Sequence, residues 1–142
     1  MIAKRELEEL KANGDFQLPS IKKDLTDYVT ECHQNAVDHG FYERETVILW
    51  KIANGMTLSY EDEKAIKMAF ICQKLLLNVS EIAEAMEALR NNDWHEFREE
   101  IADQFIRGFD LCGSLGIDLQ SEVDRKMAVN EARPKMHGGK LF

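Results

Sequence analysis

Two stretches of the chain carry carboxylates at a spacing that can do chemistry: Ser80-Glu81-Ile82-Ala83-Glu84 and Glu99-Glu100-Ile101-Ala102-Asp103. Each holds an acid-x-x-acid pair, Glu81/Glu84 and Glu100/Asp103, within a helical pattern. Residues three apart lie about 60° apart around a helix, so the two carboxylates of a pair point the same way. Two such pairs on facing helices would bring four carboxylates to one point, and like charges gather there only around a cation. Mg²⁺ is the natural occupant, and the chemistry is that of a hard ion handling a polyphosphate.

The elements that must position these acids are helices. Ser59 is placed to cap a long helix, with Glu61, Asp62 and Glu63 in the first turn where the helix dipole favours them. The pattern runs to Arg90, about 45 Å at 1.5 Å per residue. Ile66, Phe70, Gln73, Leu77, Ser80, Glu81 and Glu84 fall on one side, and Met68, Leu75, Val79, Ile82 and Met86 roughly opposite. A helix apolar on two sides is covered on two sides, which in so small a chain predicts a second subunit. The acids continue an inward stripe, where an unpaired charge would cost about 3 kcal/mol or more.

Asn91-Asn92 ends that helix, and Asp93-x-x-Glu96 has the spacing of a capping box. In the next helix, to Leu115, Phe97, Ile101, Phe105, Cys112 and Leu115 read as the core face. Glu100, Asp103, Arg107 and Asp110 fall opposite, where periodicity fits a solvated face as well as a site. Asp110 either reaches the site or pairs with Arg107. Asp118 caps a last helix ending near Arg133, stopped by Pro134. Leu119 and Val123 open its inward stripe, and Lys126, Asn130 and Arg133 continue it.

Upstream, a short charged helix is expected over residues 2–12 and another from about Ile21 to Asp38, closed by His39-Gly40. A short helix follows within residues 41–53, and Asn54-Gly55 breaks it. The outcome is an all-α chain: a four-helix bundle with extra short helices. A single domain spans residues 21–142, preceded by an arm at 1–20.

The composition agrees. At 142 residues there is room for one core, and two prolines with 31% charged residues suit long helices. A formal net charge of −8 argues against a nucleic-acid polymer as partner. It leaves nucleotides open, since a bound metal inverts the local sign. Cys32, Cys72 and Cys112 show no metal-ligand or disulfide spacing and read as buried reduced thiols in a cytoplasmic protein. No signal peptide and no apolar run of about 20 residues, as a membrane span would need, is apparent.

From His33 to Phe142 the sequence resembles the MazG-like, all-α nucleoside triphosphate pyrophosphohydrolases. The motifs are His33-Gln34-Asn35-Ala36, His39-Gly40-Phe41, Ser80-Glu81-x-x-Glu84 through Arg90, and Glu99-Glu100-Ile101-Ala102-Asp103. They continue through Ile106-Arg107, Asp110-Leu111, Leu115-Gly116-Ile117-Asp118-Leu119, Lys126-Met127-x-x-Asn130-x-x-Arg133-Pro134 and His137-Gly138-Gly139-Lys140. The ordered set is specific where a lone E-x-x-E is not. The resemblance implies hydrolysis of an NTP or dNTP to the monophosphate and pyrophosphate with Mg²⁺ or Mn²⁺, in nucleotide-pool cleansing, and the two-sided helix predicts a homodimer or homotetramer. The resemblance also implies metal and catalytic roles for Glu81, Glu84, Glu100 and Asp103. Lys126, Asn130, Arg133 and Lys140 fall to the phosphates, with His33 and Asn35 at the nucleotide. Residues 1–19 have no counterpart in the family pattern, and 43–59 read as an insertion beside the nucleotide pocket.

Two other readings compete. A catalytically silent helical module for nucleotide binding or protein interaction would keep the fold without the chemistry. A di-iron carboxylate bundle would want Glu-x-x-His pairs, and no histidine stands three residues after a glutamate.

Overall fold

The computed structural model describes residues 23–133. These form five helices, with no strand among the described residues: α1 (Leu25–Asp38), α2 (Glu43–Ala53), α3 (Tyr60–Arg90), α4 (Trp94–Leu115) and α5 (Leu119–Glu131). The expected helix over 2–12 and the tail bearing His137 and Lys140 lie outside the described residues. No described helix is long and apolar enough to cross a membrane.

Local chemistry sets the helix ends. At α1 the Asp24 side chain accepts from the Asp27 backbone N–H and the Asp27 side chain accepts from that of Asp24, a complete capping box. The helix therefore begins at Leu25, later than the expected Ile21. Ser59 caps α3 through a hydrogen bond from the Asp62 N–H, and Asp118 caps α5 through one from Ser121. The α3–α4 turn puts Asn92 at a φ of 56°, a left-handed conformation that asparagine tolerates. Asp93 caps α4 by accepting from the His95 and Glu96 N–H groups. The return half of the expected box does not form, because the Asp93 N–H donates to the Ala88 carbonyl. Helix α5 ends at Glu131, two residues short of the expected Arg133.

Helices α3 and α4 form an antiparallel hairpin. As α3 runs from Lys74 through Asn78 to Glu81, its neighbours on α4 run back from Asp110 through Gly108 to Arg107. Near the turn the seam is lined by small side chains, and Ala85 and Ala88 are buried with Glu81 in one i, i+4, i+7 stripe. Helix α1 packs on α4, with Tyr28 stacked on Phe109, and α5 packs on α1. A Cβ on Gly113 would lie 2.5 Å from the His33 Cβ, so glycine there permits the close approach of α1 to α4.

The expected core face of α4 is only partly covered, with Phe97 and Cys112 half-buried. Glu100 is buried, while Ile101, Phe105 and Leu115 are 38%, 55% and 44% exposed. On α3, Met68, Leu75, Val79, Ile82 and Met86 are exposed too. The cause is the seam: α4 meets α3 through its polar face, so its large apolar side chains turn outward. On α5, Leu119 and Val123 are half-buried, but Lys126, Asn130 and Arg133 are exposed. The inward stripe ends after Val123, since among the described residues α5 packs mainly along α1. Cys72 is exposed on the outward face of α3, contrary to the expected burial. Cys32 and Cys112 are half-buried, and burial pushes both thiols above their usual pKa.

Gly113→Ala is expected to lose about 1–3 kcal/mol of stability through overpacking. Urea denaturation followed by circular dichroism measures this. An unchanged midpoint would mean that α1 and α4 do not need this closeness.

Candidate functional site

The acidic stripe of α3 and the first two turns of α4 meet near the turn. Glu81, Glu84 and Glu100 each bring one carboxylate oxygen within 4.8 Å of the others. Glu81 is 3% exposed and Glu100 7%, whereas Glu84 is open to solvent and leaves the group accessible from one side. Arg107, two turns along α4, places Nε 2.5 Å from Glu81 Oε1. The pair is badly aligned, because that buried Nε has no hydrogen-bond partner. Glu100 Oε2 is likewise buried without a partner.

Burial raises the Glu100 pKa to about 7, helped by the Glu81 carboxyl within hydrogen-bonding reach, the charge of Glu84 and the Glu96 side chain. The sequence spacing gives Glu96 a place in a capping box. With its capping role half filled, its side chain lies instead beside Glu100, one turn away.

A divalent ion fits this donor set. The groups are oxygen donors, a buried carboxylate oxygen is orphaned, and three carboxylate oxygens lie within 4.8 Å of one another, so a small inward adjustment would seat them around one ion. Asp103 stands apart from the three-carboxylate group. It lines a cavity of about 470 Å³ that also takes in Asn35 and Phe41, Arg44, Gln73 and Lys74, Arg107 and Asp110. Arg107 thus touches both places, through Glu81 on one side and the cavity on the other.

No protein-family model, curated protein or solved structure matches this chain. Any assignment therefore rests on the geometry and on the motif resemblance.

At the far end of the seam Asp110 is a hub. Tyr42 Oη donates to its Oδ1 at 2.6 Å, His33 Nδ1 lies 2.9 Å from the same oxygen, and Lys74 Nζ donates to Oδ2 at 3.1 Å. Lys74 also sits 3.7 Å from the Tyr42 ring centroid, a close cation–π contact. Burial pulls the Asp110 pKa upward, but the hydrogen bonds from Tyr42, His33 and Lys74 outweigh it and leave it lowered. Burial and the bond to Asp110 raise the Tyr42 phenol. Asp110 neither joins the carboxylate group nor pairs with Arg107; it ties α1, α3, α4 and the start of α2 together.

The other expected site residues divide. Asn35 lines the cavity, and His33 stands behind it as a ligand of Asp110. Phe41 is exposed and lines the cavity instead of packing in a core, and Trp50 is exposed as well. Arg44, Glu45 and Ile48 place the expected insertion in the cavity wall. Lys126, Asn130 and Arg133 belong to neither the carboxylate group nor the cavity lining. Lys140 lies outside the described residues. Lys74 and Arg44 escaped the sequence reading. Pairing α3 with α4 outward from the Asn91-Asn92 turn would have set Lys74 opposite Asp110.

A carboxyl whose folded pKa is raised holds a stabilising proton. That contribution is complete below the unfolded value near 4.5 and is lost as pH rises through about 7. In EDTA the wild-type melting temperature is expected to fall relative to Glu100→Gln between about pH 5 and pH 8. Millimolar Mg²⁺ at the upper pH should raise the wild type more than the variant. Parallel pH profiles of the two proteins would rule out the buried-carboxyl account.

Proposed function

We propose that this chain is a Mg²⁺-dependent nucleoside triphosphate pyrophosphohydrolase of the MazG-like kind. It would hydrolyse an NTP or dNTP to the monophosphate and pyrophosphate, in a cytoplasmic cleansing role. The observation that carries the reading is the buried, unpartnered Glu100 oxygen within a three-carboxylate group, connected through Arg107 to a cavity of about 470 Å³. That volume falls in the range of small-ligand sites, about 300–1,000 Å³. The ordered motifs along the chain support the same assignment.

Glu81, Glu84 and Glu100 would hold the metal, Mg²⁺ or Mn²⁺. When bound, the ion neutralises triphosphate oxygens and makes water a better nucleophile. Asp103 lines the cavity outside the three-carboxylate group, the right situation for a base that orients the attacking water and takes its proton. Arg107 and Arg44 are cavity cations available to the phosphates. Lys74 contributes less free charge, since Asp110 neutralises it. Asn35 and Gln73 offer hydrogen bonds to a base, and Phe41 offers a ring to stack on.

A second copy of the chain belongs to the proposal. Met68, Leu75, Val79, Ile82 and Met86 on α3, with Ile101 and Phe105 on α4, are apolar and exposed. Among the described residues the buried apolar side chains are only Ala36, Ala85 and Ala88. Covering the outward faces of α3 and α4 by the same faces of a second chain would complete a four-helix bundle, as a homodimer or within a homotetramer. Light scattering after gel filtration should give at least twice the 16.4 kDa chain mass, and Ile82→Glu should reduce it. A monomeric wild type would remove this part of the proposal.

The functional test is pyrophosphate release across standard and damaged (d)NTPs, with Mg²⁺ and with EDTA. Release that EDTA abolishes is the expected result; none from any triphosphate would leave a binding module. Asp103→Asn should lower kcat about 10²–10⁴-fold with Mn²⁺ affinity little changed. Glu84→Gln should weaken Mn²⁺ binding itself. Equal loss of metal binding in both variants would make Asp103 a metal ligand instead of a base.

A further inference from the structure

We infer that Arg107 is a tethered counter-cation that occupies the carboxylate group until a divalent ion displaces it, and that it then serves the cavity as a phosphate ligand. The inference rests on the metal reading above and adds a coupling between metal and phosphate binding.

Three facts carry it. Arg107 Nε lies 2.5 Å from Glu81 Oε1, so a guanidinium supplies the positive charge that the group requires. Its hold is poor. The Nε–H is aimed at no acceptor, and Glu100 Oε2, in the same group, receives nothing from it. An arginine kept for stability alone would be expected to form the bidentate, well-aligned pair that its planar fork permits. Lastly, although its Nε is buried, the Arg107 side chain is 41% exposed and lines the cavity, so the residue already borders the space into which it would move.

A divalent ion binding Glu81, Glu84 and Glu100 would compete directly with the guanidinium for Glu81. Once released, Arg107 remains on the cavity wall, where a phosphate could take its charge. The metal therefore has to overcome one positive charge to bind alone, and its binding readies a phosphate site. Metal and polyphosphate should assist one another, with Arg107 carrying part of that coupling.

The test uses binding alone. Mn²⁺ affinity is read from the free-ion electron paramagnetic resonance signal. Imidodiphosphate affinity at saturating Mn²⁺ is read by calorimetry. Wild type is compared with Arg107→Met, which keeps length and loses charge, and with Arg107→Lys, which keeps charge and loses the fork. Arg107→Met is expected to bind Mn²⁺ about tenfold more tightly and imidodiphosphate about tenfold less tightly. Arg107→Lys should stay near wild type for Mn²⁺ while losing part of the imidodiphosphate affinity. The opposite signs are the signature, because a residue that merely props the fold would weaken both. Mn²⁺ binding by wild type with both affinities unmoved or both weakened in Arg107→Met overturns the role of Arg107 and leaves the metal reading standing. If Arg107→Met loses its helical circular dichroism, Arg107→Lys decides, and unchanged imidodiphosphate affinity there overturns the role. Absence of Mn²⁺ binding in every protein, wild type included, overturns both.

Discussion

The structure depends on the close approach of α3 and α4 near their turn, where Glu81 and Glu100 are buried on facing surfaces. Two carboxylates in such a place repel one another and lose hydration, a combination that would ordinarily force the helices apart. Alanine at 85 and 88 lets the backbones come near, and Arg107 supplies partial compensation from further along α4. The raised pKa of Glu100 expresses what is left over: burial and the neighbouring carboxylates disfavour its charged form. A seam built this way is least comfortable when empty of cations, which is a property of a site more than of a core.

A second polar layer holds the other end of the same seam. Asp110 takes hydrogen bonds from α1, α3 and the residue that begins α2, and its depressed pKa shows that this layer, unlike the first, is well satisfied. Between the satisfied and unsatisfied layers lies the cavity, reached by Asp110 on one side and by Asp103 and Arg107 on the other. The well-satisfied anchor and the unsatisfied carboxylate group therefore share one scaffold. Because both layers use the polar face of α4, the large side chains Ile101 and Phe105 are left outside, and the apolar stripe of α3 with them.

Helix ends were legible in the sequence because they are decided locally. Ser59, Asp93 and Asp118 cap the helices they were expected to cap, and Asn54-Gly55 and Asn91-Asn92 interrupt the chain as expected. The polar side of α4 was not legible. Apolar periodicity reports which face is covered in the final assembly and is silent about whether the cover is the same chain, and here the described chain leaves that face open. The convergence of Glu81, Glu84 and Glu100 followed from spacing plus a hairpin. The separate position of Asp103 did not, because residues at i and i+3 share a face yet differ in height by about 4.5 Å, enough to put one in a cluster and the other on a cavity wall. Lys74 was missed for another reason: its partner Asp110 is 36 residues away, and only the antiparallel register brings them together.

The placement of Arg107 also bears on why a buried acidic group can persist in a chain whose own core is slight. Removing one member of an ion pair is cheap when the other is solvated and expensive when the other stays buried alone. Glu84 remains exposed, so counter-ions can reach the group from solvent, while Glu81 and Glu100 sit behind it out of water. On the proposed metal reading, a group with one open side and Arg107 as an exchangeable cation would hold together before a divalent ion arrived and release its temporary partner when one did. A fully sealed ion pair would be more stable and unable to exchange. An entirely exposed trio would exchange freely but would give a bound ion little of the low-dielectric surroundings that strengthen its pull on substrate oxygens.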